Sequence, residues 1–405
     1  MFVRQDYLDR IISWRDTPEL IKVVSGVRRC GKSSLFAMYG DYLREQGVPS
    51  ESIVSINLEN LDYSDIDSYQ KLHDAVKGRK AKEGKTYVFL DEIQQINEWE
   101  RAANSLRLDT DLDIYITGSN TQLLNSRLAT LLSGRYVELR MLPLSFKEYL
   151  LFSGTKPDEK QAAFRQYLIQ GGFPGIFSLK EPELQYRDYL SGIYSTIVMN
   201  DIIKINQVRE MDIMEKVIRF LADNTANIVS PKKIADYIVS SGRKTSSDTT
   251  DNYLSMLENA YLFYRAKRDD IRGKSLLKTN DKFFIVDLGL RNLLAGKSGN
   301  FGSSLENLVY FELQRRGYQV SIGKLDSLEV DFIARKFNET VYYQVSASIA
   351  DDAVRERELQ PLRQIPDNYK KTLLTMDPVG DFNDIKGIFH YNIVDFLTEA
   401  TVKTP

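Results

Sequence analysis

Nine residues, GVRRCGKSS (26–34), constrain this chain more than any other stretch. They fit the pattern G-x-x-x-x-G-K-[ST] through Ser33. Gly26 and Gly31 let the backbone turn and aim its N–H groups at phosphate oxygens. Val27, Arg28, Arg29, Cys30 and Ser34 supply the neighbouring amides. Lys32 has the reach for β- and γ-phosphates, and the Ser33 hydroxyl is a ligand for Mg²⁺. A chance match in a turn would lack the right neighbours. Here the apolar run IKVVSG (21–26) precedes the loop, and a helix is expected from about Ser33 to Glu45, adding its positive N-terminal end.

The rest of the first third repeats this alternation. SIVSINL (52–58), TYVFLDEI (86–93), DIYITGS (113–119) and RYVELRM (135–141) read as strands, separated by helical stretches such as NEWERAANSLR and NSRLATLLSG. Strands alternating with helices predict an α/β domain with a parallel sheet, here over 1–151. YVFLDE ends its apolar run in Asp91 and Glu92. Asp91 is the residue type that holds Mg²⁺, and Glu92 the type that orients and deprotonates an attacking water. In TGSN, Ser119 or Asn120 is a candidate for the γ-phosphate or that water. Arg135, after Gly134 and before a strand, is a candidate arginine finger acting in a neighbouring subunit, or else a surface arginine. Cys30 reads as a small loop-filling residue rather than a redox sensor.

Net charge excludes a generally basic nucleic-acid binder: 54 Lys and Arg against 56 Asp and Glu give −2 at pH 7. Any nucleic-acid contact must be local. No run approaches eighteen apolar residues, and MFVRQDYLDRI carries charges where a signal peptide needs an apolar core, so a cytoplasmic protein without a membrane anchor is expected. A single cysteine excludes an internal disulfide, and two histidines leave little for a histidine-rich zinc site.

Beyond the first domain, residues 152–228 read as a helical linker interrupted by GGFPG (171–175). Two helical stretches, SPKKIADYIVSSG and SSDTTDNYLSMLENAYL, then stand a short turn apart, followed by strand-like LFYRAKR and hairpin-like RDDIRGKSLLKTNDKFFIVD. Helix, turn, helix and two strands is the order of a winged helix-turn-helix, placed at 229–300. Its hairpin carries Arg265, Lys267, Arg268, Arg272, Lys274, Lys278 and Lys282, a basic set suited to double-stranded DNA phosphates and partly offset by Asp269, Asp270 and Asp281. Such modules also dock proteins, so a protein partner is the competing expectation.

Residues 301–405 form a last α/β unit. EVDFIARKFNETVYYQVS (329–346) reads as two strands, the first carrying Asp331, in the manner of a metal-dependent PD-(D/E)XK nuclease. Glu306 on the preceding helix and Asp331 are the expected acids. Position 344 is Gln and position 346 is Ser, where a carboxylate and a lysine would stand. A metal cage short of one charge, with no cation to stabilise hydroxide, predicts a degenerate site unless Arg335 or Lys336 moves in from the hairpin.

The order of these motifs resembles the AAA-type P-loop ATPases of bacteria and archaea that carry a C-terminal domain of unknown function. The resemblance covers nearly the whole chain: RxDYL near the start, GVRRCGKSS, VFLDEIQ, TGSN, LSGRYVELRMLPLSFKEYL, GGFP, KFFIVDLGLRN, SSLENLVYFELQRRGY and EVDFIA. It implies an ATPase core using ATP and Mg²⁺, a helical linker, a winged helix and a restriction-endonuclease-like end domain. It also places Lys32, Ser33, Asp91, Glu92 and Arg135 at the nucleotide. No guanine-reading N-K-x-D stands in the chain, and the choice of ATP rests on the resemblance. The function expected is an ATPase that couples nucleotide state to DNA binding. A nucleotide-switched scaffold and an active ATP-dependent nuclease are the alternatives.

Overall fold

The computed structural model describes residues 3–120, 132, 134–273, 275–276, 280–295, 300–379 and 383–399. It forms two compact units, Met1–Pro143 with Asn259–Tyr261, and Leu144–Glu258 with Leu262–Pro405.

In the first unit, strands β1 (Ile21–Ser25), β2 (Ile53–Asn57), β3 (Thr86–Asp91), β4 (Leu112–Gly118) and β5 (Tyr136–Arg140) form one sheet in the order β2-β3-β4-β1-β5. Every adjacent pair is parallel. β1, β3 and β4 are buried along their whole length, as central strands of a covered parallel sheet must be. Their apolar side chains pack with Leu72, Val76, Trp99 and Leu106 from the crossover helices Tyr69–Gly78 and Trp99–Leu106. Each strand thus ends on the same sheet edge, where the loops after β1, β3 and β4 converge. The expected helix NSRLATLLSG lies almost wholly outside the described residues.

The second unit begins at Leu144. Leu144 N–H donates to Gly172 O at 2.7 Å, and Phe146 and Tyr149 pack on Phe164, Tyr167 and Phe177. Helices Phe146–Ser153, Lys160–Gln170, Pro182–Thr196 and Met211–Asp223 follow. The short β6 (Ile228–Val229) leads into helices Pro231–Ser240 and Ser247–Asn259, then β7 (Phe263–Ala266), β8 (Arg268–Asp270), β9 (Ser275–Leu276) and β10 (Asp281–Ile285). β6, β10 and β7 make a three-stranded antiparallel sheet. β8 and β9 do not join it.

Instead β8 runs parallel to β11 (Gln319–Leu325) and pairs with β9 at the end of an eight-stranded sheet. The basic hairpin expected at 268–287 is therefore divided between two sheets. The cause is Ile271, whose side chain is buried with Leu325, Val330 and Ile333 and draws β8 with it. The remainder of that sheet comprises β12 (Leu328–Lys336), β13 (Glu339–Val345), β14 (Lys370–Thr375), β15 (Asn383–Asp384) and β16 (Ile388–Asn392). β11, β12 and β13 form an antiparallel meander, and β13, β14 and β16 are mutually parallel. Helix Asp352–Gln364 covers one face through Leu359 and Leu362. Helix Phe301–Arg315 lies against β10 and β12, with Tyr310 stacked 4.1 Å from Phe284 and near Phe332.

Candidate nucleotide site

The loop after β1 has an unusual backbone. Gly26 (φ 144°), Arg29 (φ 65°) and Gly31 (φ 106°) all lie at positive φ. At Gly26 a Cβ would stand 2.1 Å from Met141 O, so no other residue fits. Positive φ at an arginine is a local cost tolerated where the surroundings over-determine the turn. Two neighbours do so. Met141 N–H donates to Ser25 O at 2.7 Å, and the buried Arg4 guanidinium donates to Cys30 O and Leu142 O, both at 2.9 Å. The helix Lys32–Glu45 opens directly on this loop. Lys32 is buried, its Nζ donating to Gly26 O (3.0 Å) and Val27 O (3.3 Å), while Ser33 and Ser34 are exposed at the helix start. Cys30 is fully buried, and burial pushes its thiol pKa up, the opposite of a reactive cysteine.

Asp91 closes β3, beside β4. Asn57, at the end of β2, donates to Asp91 Oδ2 at 3.2 Å. Thr117, fully buried in β4, does two things at once: its hydroxyl donates to Asp91 Oδ1 and accepts the Glu92 N–H at 2.9 Å. Glu92 sits in the left-handed region (φ 53°). Its Oε2 accepts a hydrogen bond from Gln94 Nε2 and lies 4.0 Å from Arg28, which pairs with Glu59 at 3.0 Å. Gln94 also donates to Ser119 Oγ at 3.4 Å, joining the ends of β3 and β4. Ser119 and Asn120 are both buried. The arrangement can hold a divalent cation near Asp91 and present Glu92 as a base. Thr117, Gln94, Asn57 and Arg4 were not singled out from sequence. Thr117 stood within TGSN, Gln94 within LDEIQ and Arg4 within RxDYL, but nothing local says which neighbour each would meet.

Arg135 is exposed just ahead of β5, where Ile21 pairs with Tyr136. The loop lies past the other end of β1, about 16 Å away at ~3.3 Å per residue. Arg135 therefore cannot serve its own phosphate loop.

In the second unit the expected nuclease acids do come together, around a cation not expected there. Lys282 Nζ, from β10, lies 2.9 Å from Glu306 and Glu329 and 3.6 Å from Asp331. Lys282 and Phe284 project from the same face of β10, so the strand that stacks Phe284 on Tyr310 also delivers Lys282 to Glu306, one helical turn away. Burial alone would lower the Lys282 pKa, but Glu306, Asp331 and Glu329 overcome it and hold the ammonium protonated. Burial raises the Asp331 pKa well above the usual carboxylate range, reinforced by Glu306; burial likewise raises that of Glu306, opposed by Lys282. Gln344 Oε1 accepts the Asp331 N–H at 3.3 Å and its Nε2 donates to Glu358 at 2.9 Å, so it braces the acids by hydrogen bonds. Ser346 is buried, and Arg335 pairs with Asp269 while Lys336 donates to Arg316 O, so neither supplies the missing lysine. Among the described residues no group of three or more His, Cys, Asp or Glu side chains is arranged to hold a metal ion.

Lys282 thus leaves the solvent-facing basic set. Of the others, Arg265 pairs with Glu258 (3.0 Å) and Asp251 (3.4 Å) and packs over Phe283. Arg272 pairs with Asp326 at 2.8 Å. Arg268 is half-buried and Lys267 exposed, while Lys274 and Lys278 lie outside the described residues. Lys232 and Lys233, on the helix Pro231–Ser240, and Arg243 and Lys244, between it and the helix Ser247–Asn259, are exposed, Arg243 pairing with exposed Asp212.

Five parallel strands with the phosphate loop after β1, and β4 inserted between β1 and the acidic β3, form the sheet of an AAA-type P-loop domain. Residues 18–150 match the family model of the AAA domain, and residues 161–300 match a domain of unknown function (DUF8612). The chain is 44% identical over 403 residues to an uncharacterised protein of Haemophilus influenzae, covering 98% of this chain and 99% of that one, and it belongs to the same family. An uncharacterised protein of Methanocaldococcus jannaschii is 28% identical, covering 92% of this chain and 86% of its own. A Walker-type ATPase of Pyrococcus abyssi shares the fold with a TM-score of 0.52 at 15% identity, covering 73% of this chain and 96% of that one. Among the described residues no helix is long and apolar enough to cross a membrane.

Proposed function

We propose that this protein is a cytoplasmic, Mg²⁺-dependent ATPase whose nucleotide state controls a DNA-binding helix-turn-helix. The observation that supports this most is the Thr117 hydroxyl, which binds the Asp91 carboxylate and the Glu92 amide together at the sheet edge where the phosphate loop emerges. In this reading the loop amides and Lys32 bind the triphosphate, and Ser33 and Asp91 hold the metal. The donor chemistry fits: a hydroxyl and a carboxylate oxygen are the hard ligands Mg²⁺ prefers. When bound, Mg²⁺ neutralises charge on the β- and γ-phosphates. Glu92 takes the proton from the attacking water. Arg135 acts on the nucleotide of a second copy.

Residues 228–285 are read as a winged helix. The surface that meets DNA is then the first helix and the turn, where Lys232, Lys233, Arg243 and Lys244 are exposed, rather than the hairpin, whose Arg265, Arg272 and Lys282 are already paired. Removing Lys232, Lys233 and Lys244 together tests this. Duplex affinity should fall and the salt slope should shrink by about two to three units. An unchanged slope would return the hairpin, or a protein partner, to consideration. The tail is read as nuclease-like in topology but not cutting, because Lys282 holds the centre of its acid cluster. Persistent plasmid nicking that disappears in Asp331→Ala would overturn that part.

A further inference from the structure

A chain of hydrogen bonds runs from Ser25, at the end of β1, through Glu138 to Tyr261, and its role rests on the nucleotide-binding reading above. Asn259, Ala260 and Tyr261 pack as part of the first unit, although the residues on both sides belong to the second. Asn259 ends the helix Ser247–Asn259, and Phe263 opens β7. Tyr261 is 2% exposed. Its backbone (φ 55°) is held in a region that a residue with a bulky side chain rarely enters without compensation.

The compensation lies on β5. The Tyr261 hydroxyl donates to Glu138 Oε1 at 3.3 Å, and the Arg140 guanidinium stands 5.6 Å from its ring centroid. Glu138 Oε1 also accepts the Ser25 hydroxyl. Ser25 is the last residue of β1, and the next is Gly26, whose backbone lies against Met141 with no room for a Cβ. Glu138 Oε1 thus accepts from two hydroxyls and from the Arg140 guanidinium (3.4 Å), so a shift of either hydroxyl changes how this oxygen divides its hydrogen bonds. Burial raises the Tyr261 pKa, so the phenol remains a donor at neutral pH.

We infer that Tyr261 is the residue through which the state of the phosphate loop reaches the helix Ser247–Asn259, by way of Ser25 and Glu138. A movement of Gly26 displaces Ser25, the Glu138 carboxylate reapportions its hydrogen bonds, and Tyr261 passes the change to a helix that ends two residues before it. Tyr261 touches no nucleotide in this scheme; it is a positioning residue.

The test is amide hydrogen exchange of the full chain with and without an ATP analogue whose β–γ bridge cannot be hydrolysed, alongside the analogue's affinity measured separately. In the wild type the analogue should alter exchange across 247–266 by about three-fold or more. In Tyr261→Phe, which keeps the ring but not the hydroxyl, affinity should stay within about two-fold while the response at 247–266 is lost. Glu138→Gln should lose the same response, and it decides the matter if Tyr261→Phe does not fold. A wild type that binds the analogue without any change at 247–266 overturns the inference alone, as does a Tyr261→Phe protein with the full response. A wild type that fails to bind the analogue overturns the nucleotide reading as well.

Discussion

Lys282 Nζ lies 2.9 Å from Glu306 Oε2, so a lysine from β10 supplies the positive charge to the acid cluster of the tail. Removing one partner of a buried, hydrogen-bonded pair leaves uncompensated charge, which costs about 3–5 kcal/mol. Lys282→Met should therefore be strongly destabilised in denaturant at pH 8. Glu306 and Asp331 have raised pKa values, so they take up protons as pH falls, and the loss should be smaller at pH 5. A loss independent of pH would mean that Lys282 matters for packing alone.

Thr117 makes a prediction that separates chemistry from binding. Thr117→Val conserves shape but removes the hydroxyl that holds Asp91 and the Glu92 amide. Steady-state hydrolysis should fall by about 10²-fold, near the scale of a disturbed general base, while affinity for ATP without metal changes little. Thr117→Ser, which restores the hydroxyl, should recover most of the rate. If Thr117→Ser is as slow as Thr117→Val, the methyl group rather than the hydrogen bonds carries the effect.

Arg135 stands at the start of β5, on the sheet edge away from its own phosphate loop. A role in catalysis requires a second copy, so specific activity should rise with protein concentration. Arg135→Ala should lose about 10³-fold or more in rate with ATP affinity nearly intact. Mixing Arg135→Ala with Glu92→Gln should restore part of the activity, since each supplies what the other lacks. A concentration-independent rate unaffected by Arg135→Ala would leave the residue as a surface arginine.

Asp287 gives a pH dependence of known sign. It caps the helix Leu288–Leu294, accepts N–H groups from Leu290 (3.1 Å) and Gly172 (2.6 Å), and lies where a Cβ on Gly171 (φ 77°) would be 2.2 Å away. Burial raises its pKa to about 6, although those backbone donors pull it down. An acid whose folded pKa exceeds its unfolded value of about 4 binds a proton preferentially in the folded state. Its contribution is present at low pH and lost as pH rises from about 4 to 6, up to about 3 kcal/mol. Urea midpoints of wild type minus Asp287→Asn should fall across that window and be flat above pH 7. A flat difference throughout would contradict it.

The N-terminal third was largely legible because its signals are local. Five apolar runs became the five strands, and the spacing from Gly26 to Ser33 put the loop after the first of them. What was not legible depended on partners far away in the chain. Lys282 looked like one more cation in a basic hairpin; alternation of side chains along β10 turns it inward to Glu306, and only the packing of Phe284 on Tyr310 determines that. Ile271 likewise gives no local sign that its burial with Val330 carries β8 into another sheet. GGFP and VDLGL were visible as separate motifs, while their common reason, Asp287 meeting Gly172, appears only in three dimensions.

The measurement that tests the central claim most directly is ATP hydrolysis by the full chain with Mg²⁺ at low salt, with and without double-stranded DNA, using Glu92→Gln as the blank. The account predicts turnover in the wild type, none above background in Glu92→Gln, and a several-fold rise on adding DNA that is lost when Lys232, Lys233 and Lys244 are replaced. Hydrolysis equal in wild type and Glu92→Gln would contradict the assigned chemistry. A rate indifferent to DNA, with no duplex binding, would contradict the coupling.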